Sequence, residues 1–138
     1  MYKTILVTLD GTRTDRAIID HIKPLARQLK SRLVLFHVAT GAPARYHGSD
    51  AAGQEVEQGR AYLGLVQAEM ASAGISAEAE LAYGDPAKEI IKWVNEKDCD
   101  LVAMSTHGHE FLADLVLGTT AIRVQHNVSV PVLLLRAK

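Results

Sequence analysis

Short apolar runs alternate along the chain with longer stretches in which apolar residues return every three or four positions. Thr4 to Leu9 (TILVTL) closes on Asp10-Gly11, the pattern of a mostly buried strand ending in a turn. Ile18, Ile22, Leu25 and Leu29 then recur at helical spacing, which predicts a helix capped by Thr14-Asp15. Pro24 deletes a backbone donor inside that helix, so either a kink or a helix nucleus on each side is expected. Arg32 to Val38 (RLVLFHV) reads as a second buried strand, and Ala39 to Gly53 as a loop rich in small residues. Fifteen residues is long for a connector, so this loop is expected to be mobile and to lie near the mouth of a pocket.

The second half repeats the alternation. Glu55 to Ala73 has a helical stripe of Leu63, Val66 and Met70, and Gly74 is placed to end it. Ile75 to Ala82 alternates charge with Ala and Leu, as an edge strand does. Gly84-Asp85-Pro86 opens a third helix with Ile90, Ile91 and Val94 as its apolar face. Asp100 to Met104 reads as the fourth strand, Thr119 to His126 as a short helix, and Val130 to Leu135 as the last strand. Strict alternation of strand and helix predicts an α/β fold: an open parallel five-stranded sheet, helices on both faces and right-handed crossovers. No repeat or linker divides residues 1–138, so one domain is expected.

Composition narrows the partners. Fifteen basic and 16 acidic residues give a net charge of -1, which supports neither a nucleic-acid surface nor a polybasic membrane anchor. Small molecules or proteins are the expected partners. Cys99 is the single cysteine, so no internal disulfide can form, and no apolar segment reads as a signal peptide or membrane span. A cytoplasmic location is the simplest expectation.

In open sheets of this kind ligands bind at the carboxyl ends of strands, where strand order reverses. The residues leaving strands one, two and four are Thr8-Leu9-Asp10-Gly11-Thr12, His37-Val38-Ala39 and Met104-Ser105-Thr106-His107-Gly108. The last group leads into HEFLADLVL and then Gly118-Thr119-Thr120 at a helix start. Unpaired N–H groups and partial positive charge there suit phosphate oxygens, while the same threonines and glycines serve equally as cap and turn. Local features leave both readings open. Neither the P-loop nor the dinucleotide fingerprint is present. His107 and His109 lie two apart without a Cys, Asp or Glu at ligand-like spacing to complete a metal set, and Trp93 reads as packing.

The constellation resembles the universal stress protein family, in its ATP-binding subgroup. That family's phosphate motif is Gly, two residues, Gly, nine residues, then Gly followed by Ser or Thr; here it reads Ser105-Thr106-His107-Gly108, His109 to Leu117, Gly118-Thr119. ILVTLDGT, FHV, GDPAKEI and the final VPVLLLR extend the likeness over the whole chain. The resemblance implies a Rossmann-like sheet of order 3-2-1-4-5. It also implies that Thr8, Leu9 and Asp10 border adenosine, with the Asp10 carboxylate available to the ribose. Val38 would meet adenine through its backbone, Met104 would line the base pocket, and Ser105, Gly108, Gly118, Thr119 and Thr120 would surround the phosphates.

Three departures bear on the ligand. Ser105 replaces the first glycine, His109 stands where many members carry Arg or Lys, and Glu110 and Asp114 add negative charge to the same loop. Adenine and ribose recognition is therefore expected to hold better than tight triphosphate binding, with Mg²⁺ arriving on the nucleotide if at all. The expected function is a sensor or regulatory module binding ATP or AMP. The alternatives are a member that acts on unidentified protein clients without nucleotide, and a slow ATPase, for which no Walker-type lysine or water-positioning base can be named. The apolar strand Val130 to Leu135 lies at a sheet edge in the family's order, and the resemblance implies a homodimer through it.

Overall fold

The computed structural model describes residues 1–41, 49–107 and 120–137. Strands β1 (Thr4–Thr8), β2 (Arg32–Ala39), β3 (Ala77–Tyr83), β4 (Leu101–His107) and β5 (Val132–Ala137) form one sheet. Its order is β3-β2-β1-β4-β5 and every neighbouring pair is parallel. Among the described residues the helices are α1 (Asp15–Leu29), α2 (Ser49–Ser72), α3 (Pro86–Glu96) and α4 over 120–127. The architecture is the expected Rossmann-like one, strand order included.

Period-two alternation sends successive strand residues to opposite faces. On one face Ile5, Val7, Leu33 and Leu35 meet Ile18 and Ile22 of α1 and Leu63 and Met70 of α2. On the other, Leu6, Val34, Phe36 and Val102 meet Ile90 and Val94 of α3 and Ala121 and Val124 of α4. Each large aliphatic side chain buried this way stabilises the fold by about 1.5–3 kcal/mol. Phe36 also faces Trp93 at 5.8 Å between ring centroids, so the lone tryptophan is packing. The chain runs outward from β1 through β2 to β3 and returns to the other side of β1 for β4. The order therefore reverses between β1 and β4.

Several boundaries differ from expectation. α1 runs unbroken through Pro24 rather than splitting in two. Pro24 is on the exposed side of the helix, where the carbonyl it leaves unpaired can turn to water. Thr14 makes no side-chain cap bond, and Asp15 reaches back to the preceding turn instead of capping its own helix. α2 begins at Ser49, six residues before Glu55. The segment expected as a loop is thus strand at its start and helix at its end, and residues 42–48 of it lie outside the described residues. β4 continues past Met104 to His107 because β5, itself shifted to Val132–Ala137, pairs with it as far as His107↔Ala137. The Asp100 carboxylate accepts from the N–H groups of Lys3 and Thr4, tying the start of β4 to β1. Lys97 likewise donates to Glu78 at the β3 edge. No described helix is long and apolar enough to cross a membrane.

Candidate functional site

A cavity of about 360 Å³ opens at the carboxyl ends of β2, β1 and β4, at the point where strand order reverses. That volume falls at the lower end of the range for small-molecule sites. Thr8, Leu9 and Asp10 line it from β1, Val38 from β2, Met104 and Ser105 from β4, and Thr120 from the start of α4. These seven of the ten residues singled out in the sequence converge. Gly108, Gly118 and Thr119, like His109, Glu110 and Asp114, lie outside the described residues. Leu9 and Met104 also belong to the core, 4% and 5% exposed, so each serves as floor of the cavity and as packing.

The turn after β1 is held from below. Gly11 takes φ +85°, a conformation that favours glycine, and the chain doubles back so that Asp10 and Gly11 point their N–H groups at the Asp15 carboxylate. Asp15 is 1% exposed and also accepts from the Tyr62 hydroxyl at 2.6 Å, across 47 residues of sequence. Burial pushes its carboxyl up to about 6 against the lowering effect of the Tyr62 hydrogen bond; the nearby Asp10 charge raises it further. Burial likewise drives the Tyr62 phenol well above its ordinary value, and donation to Asp15 adds to the shift. Asp10 itself is exposed; its Oδ1 accepts from the N–H and hydroxyl of Thr12 and its Oδ2 from the Thr14 hydroxyl.

The β2 side gives a defined place to His37, noted in the sequence only as leaving strand two, and brings in Glu55, which sequence reasoning missed. His37 lines the cavity, and its Nδ1 donates to the Leu9 carbonyl at 2.8 Å, which fixes the ring and continues the β1–β2 ladder. Gly59 of α2 lets this happen: a Cβ there would sit 3.0 Å from His37 Cδ2 and 2.7 Å from Leu81 Cδ1. Glu55 reaches from α2 to accept from the N–H groups of Thr40 and Gly41, closing the end of β2. Phe36, Thr40, Pro86 and Ile90 complete the wall. Asp85 caps α3 by accepting from Lys88 N–H and takes two hydrogen bonds from Arg123 of α4. The cap bond and then Arg123 hold its carboxyl below the usual range. That pair joins the starts of the two helices that supply Pro86 and Thr120.

The cavity is apolar with hydroxyls at its β4 end, Ser105 and Thr120, and carboxylates at Asp10, Asp15 and Glu55. No Lys or Arg lines it among the described residues. A separate, open groove of about 490 Å³ runs between α1 and β5, with Arg13, Arg16, His21 and Arg136 along it.

Comparison with known proteins matches residues 1–136 to the universal stress protein family. The chain belongs to that family. Universal stress protein MJ0531 of Methanocaldococcus jannaschii is 27% identical over 99% of this chain and 83% of its own length. Among solved structures, M. jannaschii MJ0577 superposes with a TM-score of 0.87 at 23% identity, covering 100% of this chain and 98% of the other. A universal stress protein in complex with cAMP superposes at 0.73 and 20% identity, over 99% and 98% of the two chains. One from Archaeoglobus fulgidus in complex with dAMP does so at 0.71 and 15% identity, over 96% and 97%. At these identities the superpositions speak to the fold.

Proposed function

We propose that this universal stress protein binds an adenine nucleotide in the cavity at the ends of β2, β1 and β4 and acts as a regulatory or sensor protein. The observation that carries the reading is the convergence of Thr8, Leu9, Asp10, Val38, Met104, Ser105 and Thr120 on one cavity. In this reading adenine lies against Val38, ribose by Asp10 and the phosphates toward Ser105 and Thr120, as the family resemblance implies; Gly108, Gly118 and Thr119, which the resemblance adds to the phosphate side, lie outside the described residues. Related structures holding cAMP and dAMP support an adenine ligand. With three carboxylates and no described cation in the lining, a mono- or cyclic phosphate suits the cavity better than ATP, whose Mg²⁺ would have to arrive with it.

The experiment is calorimetric titration of nucleotide-stripped protein with AMP, cAMP and MgATP. Binding of AMP or cAMP that is weakened in Asp10→Ala supports the reading; no heat with any of the three contradicts it. The acidic lining favours one second reading, a member that works through protein clients without nucleotide. A homodimer through β5 is part of the proposal, since among the described residues this edge strand pairs only with β4 and leaves Leu134 40% exposed. ATP hydrolysis is not part of this proposal.

A further inference from the structure

Among the described residues Asp15 is the only buried carboxylate, and it lines the cavity. Its Oδ1 and Oδ2 each lie 3.1 Å from Asp10 N; Oδ2 also accepts from Gly11 N at 2.9 Å and from Tyr62 Oη at 2.6 Å. It is thus the peg on which the ribose-facing turn hangs, and it places a charge directly beneath Asp10. Among the described residues the charged groups of the neighbouring elements have partners, Glu55 of α2 accepting from the Thr40 and Gly41 N–H groups. Tyr62 comes from α2, His37 from β2 has its Nδ1 on Leu9, and Arg16, next along α1, is held by Asp20 and Glu69. The β1 residues packed beside α1 are apolar.

We propose that Asp15 is the positioning residue of the nucleotide-facing turn and that its proton sets how well the cavity accepts an anionic nucleotide. This rests on the adenine-nucleotide reading above. With the carboxyl raised to about 6 by burial, the group is ionised at neutral pH and protonated in mild acid. Ionised, it adds a second negative charge beside Asp10 that repels phosphate; protonated, it removes that charge. By linkage an anionic ligand draws the proton on, and the same proton draws the ligand in. One charge removed from a partly buried site at this range is worth roughly tenfold in affinity. The universal stress protein would then bind anionic nucleotide more tightly as pH falls.

The test is calorimetric titration with cAMP between pH 5 and 8, with adenosine as the uncharged control. cAMP is the probe because its phosphodiester keeps one negative charge across that range, so any inflection belongs to the protein. Wild-type affinity for cAMP is expected to fall roughly tenfold as pH rises through the Asp15 titration, while adenosine affinity changes little. Asp15→Asn, uncharged throughout, is expected to give a flat profile that lies below the wild-type acid limb to the extent that the lost acceptor loosens the turn. Tyr62→Phe removes a hydrogen bond that lowers the Asp15 pKa, so its inflection moves to higher pH. Thermal melts at each pH establish that both variants are folded. A flat wild-type profile, an Asp15→Asn profile matching wild type, or a parallel fall with adenosine overturns the inference while leaving nucleotide binding intact. Failure of wild type to bind either ligand at any pH overturns both.

Discussion

Asp15→Asn carries a prediction about folding that needs no ligand. The folded carboxyl titrates near 6 against a reference of 3.8, so between those values the native state holds a proton that the unfolded chain has lost. The sign follows: this group's contribution is most favourable below pH 3.8 and is lost as pH rises to about 6, in contrast to a salt-bridged carboxylate. A shift of two units corresponds to about 3 kcal/mol over the whole window and about 2 kcal/mol from pH 4.5 to neutrality. Asparagine preserves shape and one acceptor but cannot accept from both N–H groups and Tyr62. That loss costs about 1–3 kcal/mol at every pH, so it offsets the curve without tilting it. The assay is urea denaturation of both proteins from pH 4.5 to 7.5. The wild-type advantage over Asp15→Asn is expected to shrink by about 2 kcal/mol across that range. Parallel curves would show that Asp15 titrates as an ordinary carboxyl and refute the desolvation argument.

Other consequences are smaller and local. Gly59→Val forces a branched side chain against His37 and Leu81, which is expected to cost about 1–3 kcal/mol by thermal melt and to weaken nucleotide binding by displacing the His37 ring; Gly59→Ala gains helix propensity but needs the end of Leu81 to move and the His37 ring to give slightly, and is expected to cost under about 1 kcal/mol. Asp85→Ala loses both the α3 cap and the Arg123 pair and is expected to destabilise by about 1–2 kcal/mol, most of it from the cap because the ion pair is exposed, so Arg123→Ala in denaturation experiments should cost under about 1 kcal/mol. Cys99 is 5% exposed with its thiol pushed up to about 11 by burial, so native protein is expected to resist iodoacetamide and react only on unfolding; rapid labelling of folded protein would contradict this. For the proposed dimer, Leu134→Lys is the informative change, since Leu133 packs partly against the core whereas Leu134 is open. Light scattering should report a shift toward monomer, and unchanged mass would mean that another surface pairs.

Much of the site was legible in the sequence because its residues sit at strand ends, and strand ends follow from apolar runs meeting Gly, Asp or Thr. Once β1 is central, Asp10, Val38 and Ser105 have to converge. What was not legible depends on contacts between segments distant in sequence. Asp15 at a helix start reads as an N-cap by local rules, and nothing nearby announces that Tyr62 on α2 will meet it. Glu55 and His37 look like a helix-start acid and a strand histidine; their partners, the Thr40 and Gly41 N–H groups and the Leu9 carbonyl, exist only after α2 and β1 have docked on β2. The extension of β4 to His107 has the same origin, because the β5 register decides where pairing stops. Residues with short-range signals are those that line the cavity at the strand ends, whereas the supports beneath them depend on contacts across the fold.

The most direct test of nucleotide binding in this cavity is an amide chemical-shift map of the labelled protein titrated with AMP. Shifts are expected to concentrate at Leu9, Asp10, Val38, Ser105 and Thr120, with the arginine-lined groove between α1 and β5 unmoved. Saturable shifts confined to Arg13, Arg16 and Arg136, or no shifts at all, would contradict the placement of the ligand at the ends of β2, β1 and β4.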